Sequence, residues 1–206
     1  MIFLPAQWLC HASGVEPRER VQRLVMAAEL YAIEVSTAYD EVIKQVIARV
    51  ADAGSLGKLD LGALSAWKRL RADTPWMARL MSCPEQEIRQ HTERAVTAAQ
   101  DESRTVAEAA VAARSALTPL PGFSNGDALA SVVCFVAAPT RLAVYDSRAH
   151  SGLQQLGLML DNRPGRYGRY LALVERCRAE LAGQGYEWSA RQVDLALYQL
   201  GGQKQR

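Results

Sequence analysis

Histidine and cysteine are scarce in this chain, three and four among 206 residues, and those present stand apart. Cys10, Cys83, Cys134 and Cys177 form no Cys-x-x-Cys pair, and only Cys10 has a histidine beside it, His11. That spacing argues against a zinc site and an iron–sulfur cluster and leaves reduced, mostly buried thiols as the plain reading. His11, His91 and His150 are likewise isolated, so each reads as a surface or hydrogen-bonded boundary residue, and no metal site is expected. Long apolar runs are missing too. The opening residues 1–9 are short and lack a basic flank, and any other stretch long enough to cross a bilayer is interrupted by charge. A soluble cytoplasmic protein with no membrane partner is the expectation. Charge of one sign is not in excess: the formal net charge is +2, so a nucleic-acid partner has to meet a local basic surface rather than a global field. No alternating run is long enough for a strand, although residues 142–145 suit a few extended positions, and no repeat occurs at a solenoid period.

What is present is helical spacing. Half of the chain is apolar, enough for a substantial core. Val35, Ala38, Tyr39, Val42, Ile43, Val46, Ile47 and Val50 recur at i, i+3, i+4 and i+7, which predicts one helix with a buried face. Start signals stand at Pro17, at Thr74 before Pro75, at Ser82 with Glu85 three residues on, and at Ser189 with Gln192 three residues on. Breaks fall at 53–58, around Asp73, at 118–126, at Pro139, at 160–168 and at 183–188. The pattern predicts an all-α fold of eight to ten helices, with residues 1–206 treated as one unit.

One segment carries chemistry. Leu120, Pro121 and Gly122 open a tight turn, Ser124 and Gly126 follow, and Asp127 begins an apolar helix. Pro121 sets its own φ, and Gly122 and Gly126 can take positive φ, so backbone N–H groups can face an anion, phosphate above all. Asp146 lies 24 residues after Gly122, with Arg148 just beyond. These residues resemble the helix-hairpin-helix DNA glycosylase superfamily, in which a Leu-Pro-Gly hairpin grips a DNA phosphate and an aspartate about two dozen positions later serves base excision. Outer segments at 61–70, 83–99 and 192–201 look like the pocket helix, the intervening helix and the closing helix of bacterial proteins with an 8-oxoguanine-glycosylase-type fold. The resemblance implies a bilobed helical domain whose hairpin unit covers about 105–138, with Gly122 as the hairpin glycine and Asp146 as the catalytic carboxylate. It also implies a nucleoid-associated DNA partner, duplex or single-stranded, no organic or redox cofactor, and a monovalent cation at the hairpin carbonyls.

Two departures narrow this. Members that also cut the strand carry a lysine where Gly126 stands, and Gly126 has no amine for a Schiff base, so a monofunctional enzyme is expected. Ser124 replaces the second hairpin glycine, and Asp127 puts a negative charge at the helix start that should receive phosphate. Asp146 itself has two readings, a carboxylate stabilising an oxocarbenium-like sugar and a plain helix N-cap. Trp67 and Lys68 are either a base pocket or, respectively, core and solvated face. Lys68 is also a possible amine nucleophile relocated from the hairpin. Arg163, Arg166 and Arg169, interleaved with Tyr167 and Tyr170, read as a phosphate-contacting loop or as an ordinary connector, with Tyr170 in the core. Leu120, Gly122, Ser124, Gly126 and Arg148 complete the DNA-contacting set. The expected function is hydrolysis of the N-glycosidic bond of a flipped, modified or damaged base. A DNA-binding module without catalysis and an all-α scaffold for protein partners are the two alternatives.

Overall fold

A computed structural model of the chain describes residues 15–124 and 126–203. Among them are ten α-helices and one 3-10 turn, with no strand, so the fold is all-α. Cys10 and His11 lie outside the described residues. Cys134 and Cys177 are buried free thiols and Cys83 is half-buried; burial pushes the first two thiols up to about 12. No helix among the described residues is long and apolar enough to cross a membrane.

Helix α1 (Pro17–Glu34) begins with proline in its first turn, where a missing N–H is harmless. The single helix expected through Val35 to Val50 is broken. Helix α1 stops at Glu34, Val35 and Ser36 are extended, a 3-10 turn covers Thr37–Asp40, and α2 runs over Glu41–Ala53. The cause is local competition: Ser36 Oγ accepts the Ala38 N–H at 3.3 Å, offering the backbone an alternative to the helix. The apolar period survives only in α2, where Ile43, Val46 and Val50 are buried. Helix α3 (Lys58–Trp67), α4 (Pro75–Ser82) and α5 (Glu85–Gln100) follow. The capping box expected from Ser82 and Glu85 does not form. Ser82 Oγ donates back to the Ala78 carbonyl at 2.8 Å, while Glu85 accepts the Lys58 N–H at 3.1 Å and so caps α3 across space. Helices α6 (Val106–Ala116), α7 (Ala128–Ala137), α8 (Ser147–Gln155), α9 (Arg166–Ala182) and α10 (Ala190–Gly202) complete the chain, with capping boxes at Thr105–Glu108 and Ser189–Gln192.

The packing sorts into two groups. Helix α7, buried at every residue from Leu129 onward, is surrounded by α2, α3, α5 and α6. The chain ends form the other group, α1 and α8 against α10, with α9 beside α1 and α10. Helix α6 on α9 joins them, and one apolar core runs through both. Helices α8 and α10 cross so closely that a Cβ on Gly201 would lie 1.8 Å from the Arg148 carbonyl oxygen, and one on Gly152 would lie 2.2 Å from that of Leu197. Both obstacles are backbone and cannot rotate away. Gly201→Ala is therefore expected to lower stability by about 1–3 kcal/mol, read as a lower urea midpoint at unchanged m-value. A midpoint equal to that of the unsubstituted protein would show that the two helices separate freely.

Candidate functional site

Between α7 and α8 the chain runs irregularly through residues 142–146, mostly buried. A buried strap of this kind must find partners for its backbone polar groups, and side chains from two helices and from the end of a third supply them. Asp194 of α10 accepts the Val144 N–H at 2.8 Å. Tyr167 and Tyr170 of α9 donate their hydroxyls to the Ala143 and Val144 carbonyls at 2.8 and 3.2 Å. Lys68, just past α3, donates to the Tyr145 carbonyl at 3.0 Å. Asp146 ends the strap, and its place is fixed by all of these together.

The N-cap reading of Asp146 is met by one of its two oxygens, and the other has a different partner. Oδ1 accepts the Arg148 N–H at 2.8 Å and caps α8, while Oδ2 meets the Lys68 ammonium at 2.8 Å. The Lys68 side chain is only 9% exposed, which removes the solvated-face reading. Burial pushes the Asp146 carboxyl up, but the bond and charge of Lys68 and the Arg148 amide outweigh it, so the net direction is below the ordinary carboxylate value. Asp146 is thus an anion at neutral pH, with a quarter of its side chain open to solvent.

That opening is a cleft of about 560 Å³ where the two groups of helices meet, lined from α1, the 3-10 turn, the end of α3, the strap, α8 and α10. Trp67 is 8% exposed and lines it, serving core and wall together. Its indole N–H donates to Asp40 at 3.2 Å, and Tyr39 lies against it with ring centroids 5.7 Å apart while donating its hydroxyl to the Trp67 carbonyl. The break after α1 is what turns Tyr39 and Asp40 toward this wall. Arg191 stacks over Trp67 at 5.4 Å and pairs with Asp194 at 2.8 Å and with Asp40 at 3.7 Å. Burial pushes the Asp194 carboxyl up to about 6 even against Arg191 and the Val144 amide. The nearby carboxylates keep Arg191 charged despite its own burial.

The segment expected as a hairpin contains a type II turn. Pro121 and Gly122 are its central residues, Gly122 has φ +88°, and Phe123 N–H closes on the Leu120 carbonyl at 3.1 Å. Leu120 and Phe123 are buried, Ser124 and Gly126 exposed. The indole of Trp76 packs so tightly on Gly122 that a Cβ there would lie 2.2 Å from it. Asp127 does not face outward. It is buried between Arg114 at 3.1 Å and Arg166 at 2.8 Å. Arg114 also donates to the Gly126 carbonyl at 3.2 Å, and a positive charge already on that oxygen does not fit a cation bound there.

The arginine loop has its charges answered within the protein. Arg163 and Arg169 both bind Asp161, just ahead of the loop, at 2.6 Å, and burial places Tyr167 as well as Tyr170 in the core. Arg166, bound to Asp127, also lies over the Tyr145 ring at 4.7 Å and so links the hairpin to the strap that carries Asp146. Arg71, three residues after Lys68, pairs with Asp73 at the surface. His91 and His150 each meet one partner, the Ala116 carbonyl and the Tyr145 hydroxyl, at 3.2 Å.

The structure therefore brings Trp67, Lys68, Asp146 and Arg148 to one cleft and places Leu120, Gly122, Ser124 and Gly126 at a separate hairpin. Sequence reading missed Tyr39, Asp40, Arg69, Arg191, Asp194 and Tyr198, which also line or brace the cleft. Only Asp194 left a signal, a carboxylate among Ala190, Val193 and Leu197 on the buried face of α10. Protein-family models, curated proteins and solved structures give no match to this chain.

Proposed function

We propose that this protein is a monofunctional DNA glycosylase that hydrolyses the N-glycosidic bond of a base received in the cleft beside Asp146. The Asp146–Lys68 pair at an aromatic-walled opening is the observation that carries this reading. Trp67 and Tyr39 give the opening an aromatic wall for an extruded base to lie along. As the bond from the sugar's anomeric carbon to the base breaks, its electron pair leaves with the base and positive charge develops on the sugar. The ionised Asp146 stabilises that charge and accepts a proton from the water that attacks the same carbon. Lys68 holds the carboxylate ionised and in place, and Gly126 contributes no nucleophile.

In the same reading α6, residues 117–127 and α7 serve as the helix-hairpin-helix unit that meets a backbone phosphate through the exposed edge at Ser124 and Gly126. Asp127 does not oppose this, because Arg114 and Arg166 neutralise it. The test incubates the purified protein with oligonucleotides carrying different altered bases and scores alkali-labile sites. Abasic sites from at least one substrate are expected. Intact DNA throughout, with binding retained, would replace the enzyme by a DNA-binding module, and no binding at all would leave the protein-scaffold reading.

A further inference from the structure

Two arginines at the mouth of the cleft stand apart from those of the loop and core. Arg163, Arg166, Arg169 and Arg191 each bind a carboxylate. Among the described residues Arg69 and Arg148 bind none, and each lies over a tyrosine ring instead. Arg69 stacks on Tyr39 at 5.2 Å, and Arg148 stacks on Tyr198 at 4.9 Å while donating to its hydroxyl at 3.0 Å. All four residues line the same cleft, and both arginines are exposed.

Arg69 also occupies a position that a large side chain resists. Helix α3 ends in a Schellman arrangement: Leu70 N–H bonds the Ser65 carbonyl at 2.9 Å and Arg69 N–H bonds that of Ala66 at 3.0 Å. The residue at this point must be left-handed, and Arg69, with φ +56°, is the only non-glycine residue at positive φ among the described residues. Glycine fits there without strain, so an arginine at this point works against the helix end. Strain of this kind persists where the side chain serves something other than stability.

Resting on the glycosylase reading, we infer that Arg69 and Arg148 clamp the backbone phosphates flanking the nucleotide whose base enters the cleft, with Tyr39 and Tyr198 as their stacking supports. A guanidinium lying over a ring still has N–H groups to offer phosphate oxygens, in Arg148 those other than the one that donates to Tyr198, and the ring contact limits the freedom lost on binding. Two such forks at one opening suit two phosphates, and hence a polymer rather than a mononucleotide.

The test measures duplex oligonucleotide binding across a salt series for the unsubstituted protein, Arg69→Gly, Arg148→Gln and the pair Arg163→Gln with Arg169→Gln. Each cleft variant is expected to lower the slope of log affinity against log salt by about 0.9. The loop pair should leave it unchanged, since Asp161 already holds both arginines. Arg69→Gly should bind more weakly and yet melt about 2–4 °C higher, a combination that a merely structural arginine would not produce. Unchanged slopes in both cleft variants, in a protein that still cuts altered-base DNA, would overturn the clamp and leave the glycosylase reading standing. Equal displacement of the oligonucleotide by a nucleoside 5′-monophosphate at matched phosphate concentration would also overturn it. Absence of any salt-dependent DNA binding by the unsubstituted protein would end both.

Discussion

Asp146→Asn is expected to reduce excision by about 10²–10⁴-fold while DNA binding and folding persist. The substitution is chosen because asparagine is as good an N-cap as aspartate, so the bond to the Arg148 N–H that starts α8 can be kept. On the proposed reading, what disappears is the negative charge beside the sugar, together with the acceptor for the water's proton. Single-turnover cleavage of the best oligonucleotide from the panel measures the rate, and circular dichroism with an affinity titration checks the remainder. Cleavage at the unsubstituted rate would mean that Asp146 is a cap and nothing more. Lys68→Met adds a readout specific to the pair. Without the ammonium, burial is less opposed and the Asp146 carboxyl titrates higher, so the acid limb of the pH–rate profile moves to higher pH. A loss of rate with no movement of that limb would assign Lys68 a different part in the reaction, that of an amine nucleophile included.

Asp194→Ala is expected to destabilise the fold by about 3–5 kcal/mol, because it removes one partner of a buried pair. Arg191 would be left with Asp40 at 3.7 Å alone, and the Val144 N–H of the strap would lose its acceptor. Asp194→Asn restores an acceptor without the charge and should fall between the two. The pH dependence carries a sign that separates them. The folded carboxyl, pushed up to about 6, binds its proton more tightly than the same group in the unfolded chain. Its favourable contribution is therefore complete below the unfolded value near 4 and is lost as pH rises through 6. Relative to Asp194→Asn, the unsubstituted protein should gain stability between pH 7 and pH 5, as urea unfolding at the two values will show. A difference that stays constant or moves the other way would mean that Arg191 keeps Asp194 ionised throughout. Because Asp194 also holds the strap, the alanine variant should lose excision even where it remains folded.

Much of the architecture could be read from residue spacing, since helical period and capping chemistry are properties of a few neighbouring residues. The starts at Pro17, Thr74 and Ser189, the breaks at 53–58 and 183–188, and the placement of Tyr170 in the core all followed from such short-range rules. Val35 to Val50 kept an unbroken apolar period, and one serine hydroxyl was enough to divide it. Glu85 had the right spacing to cap its own helix, yet it caps α3, because a carboxylate goes to whichever N–H the packing brings near. Periodicity does not record such competition.

For the site, the chain by itself supplied Asp146, Lys68, Trp67 and the hairpin as separate marks, each with a dull alternative. Their types and intervals were enough to nominate them and not enough to choose among readings. Tertiary structure decided that Lys68 meets Asp146 across 78 residues of sequence, that Asp127 and the loop arginines spend their charge on one another or on Asp161, and that Arg69 and Arg148 do not. The reason is one of range. A helix is built from contacts three and four residues apart and can be recognised locally, whereas an ion pair forms only between side chains that distant packing has already carried within about 4 Å of each other.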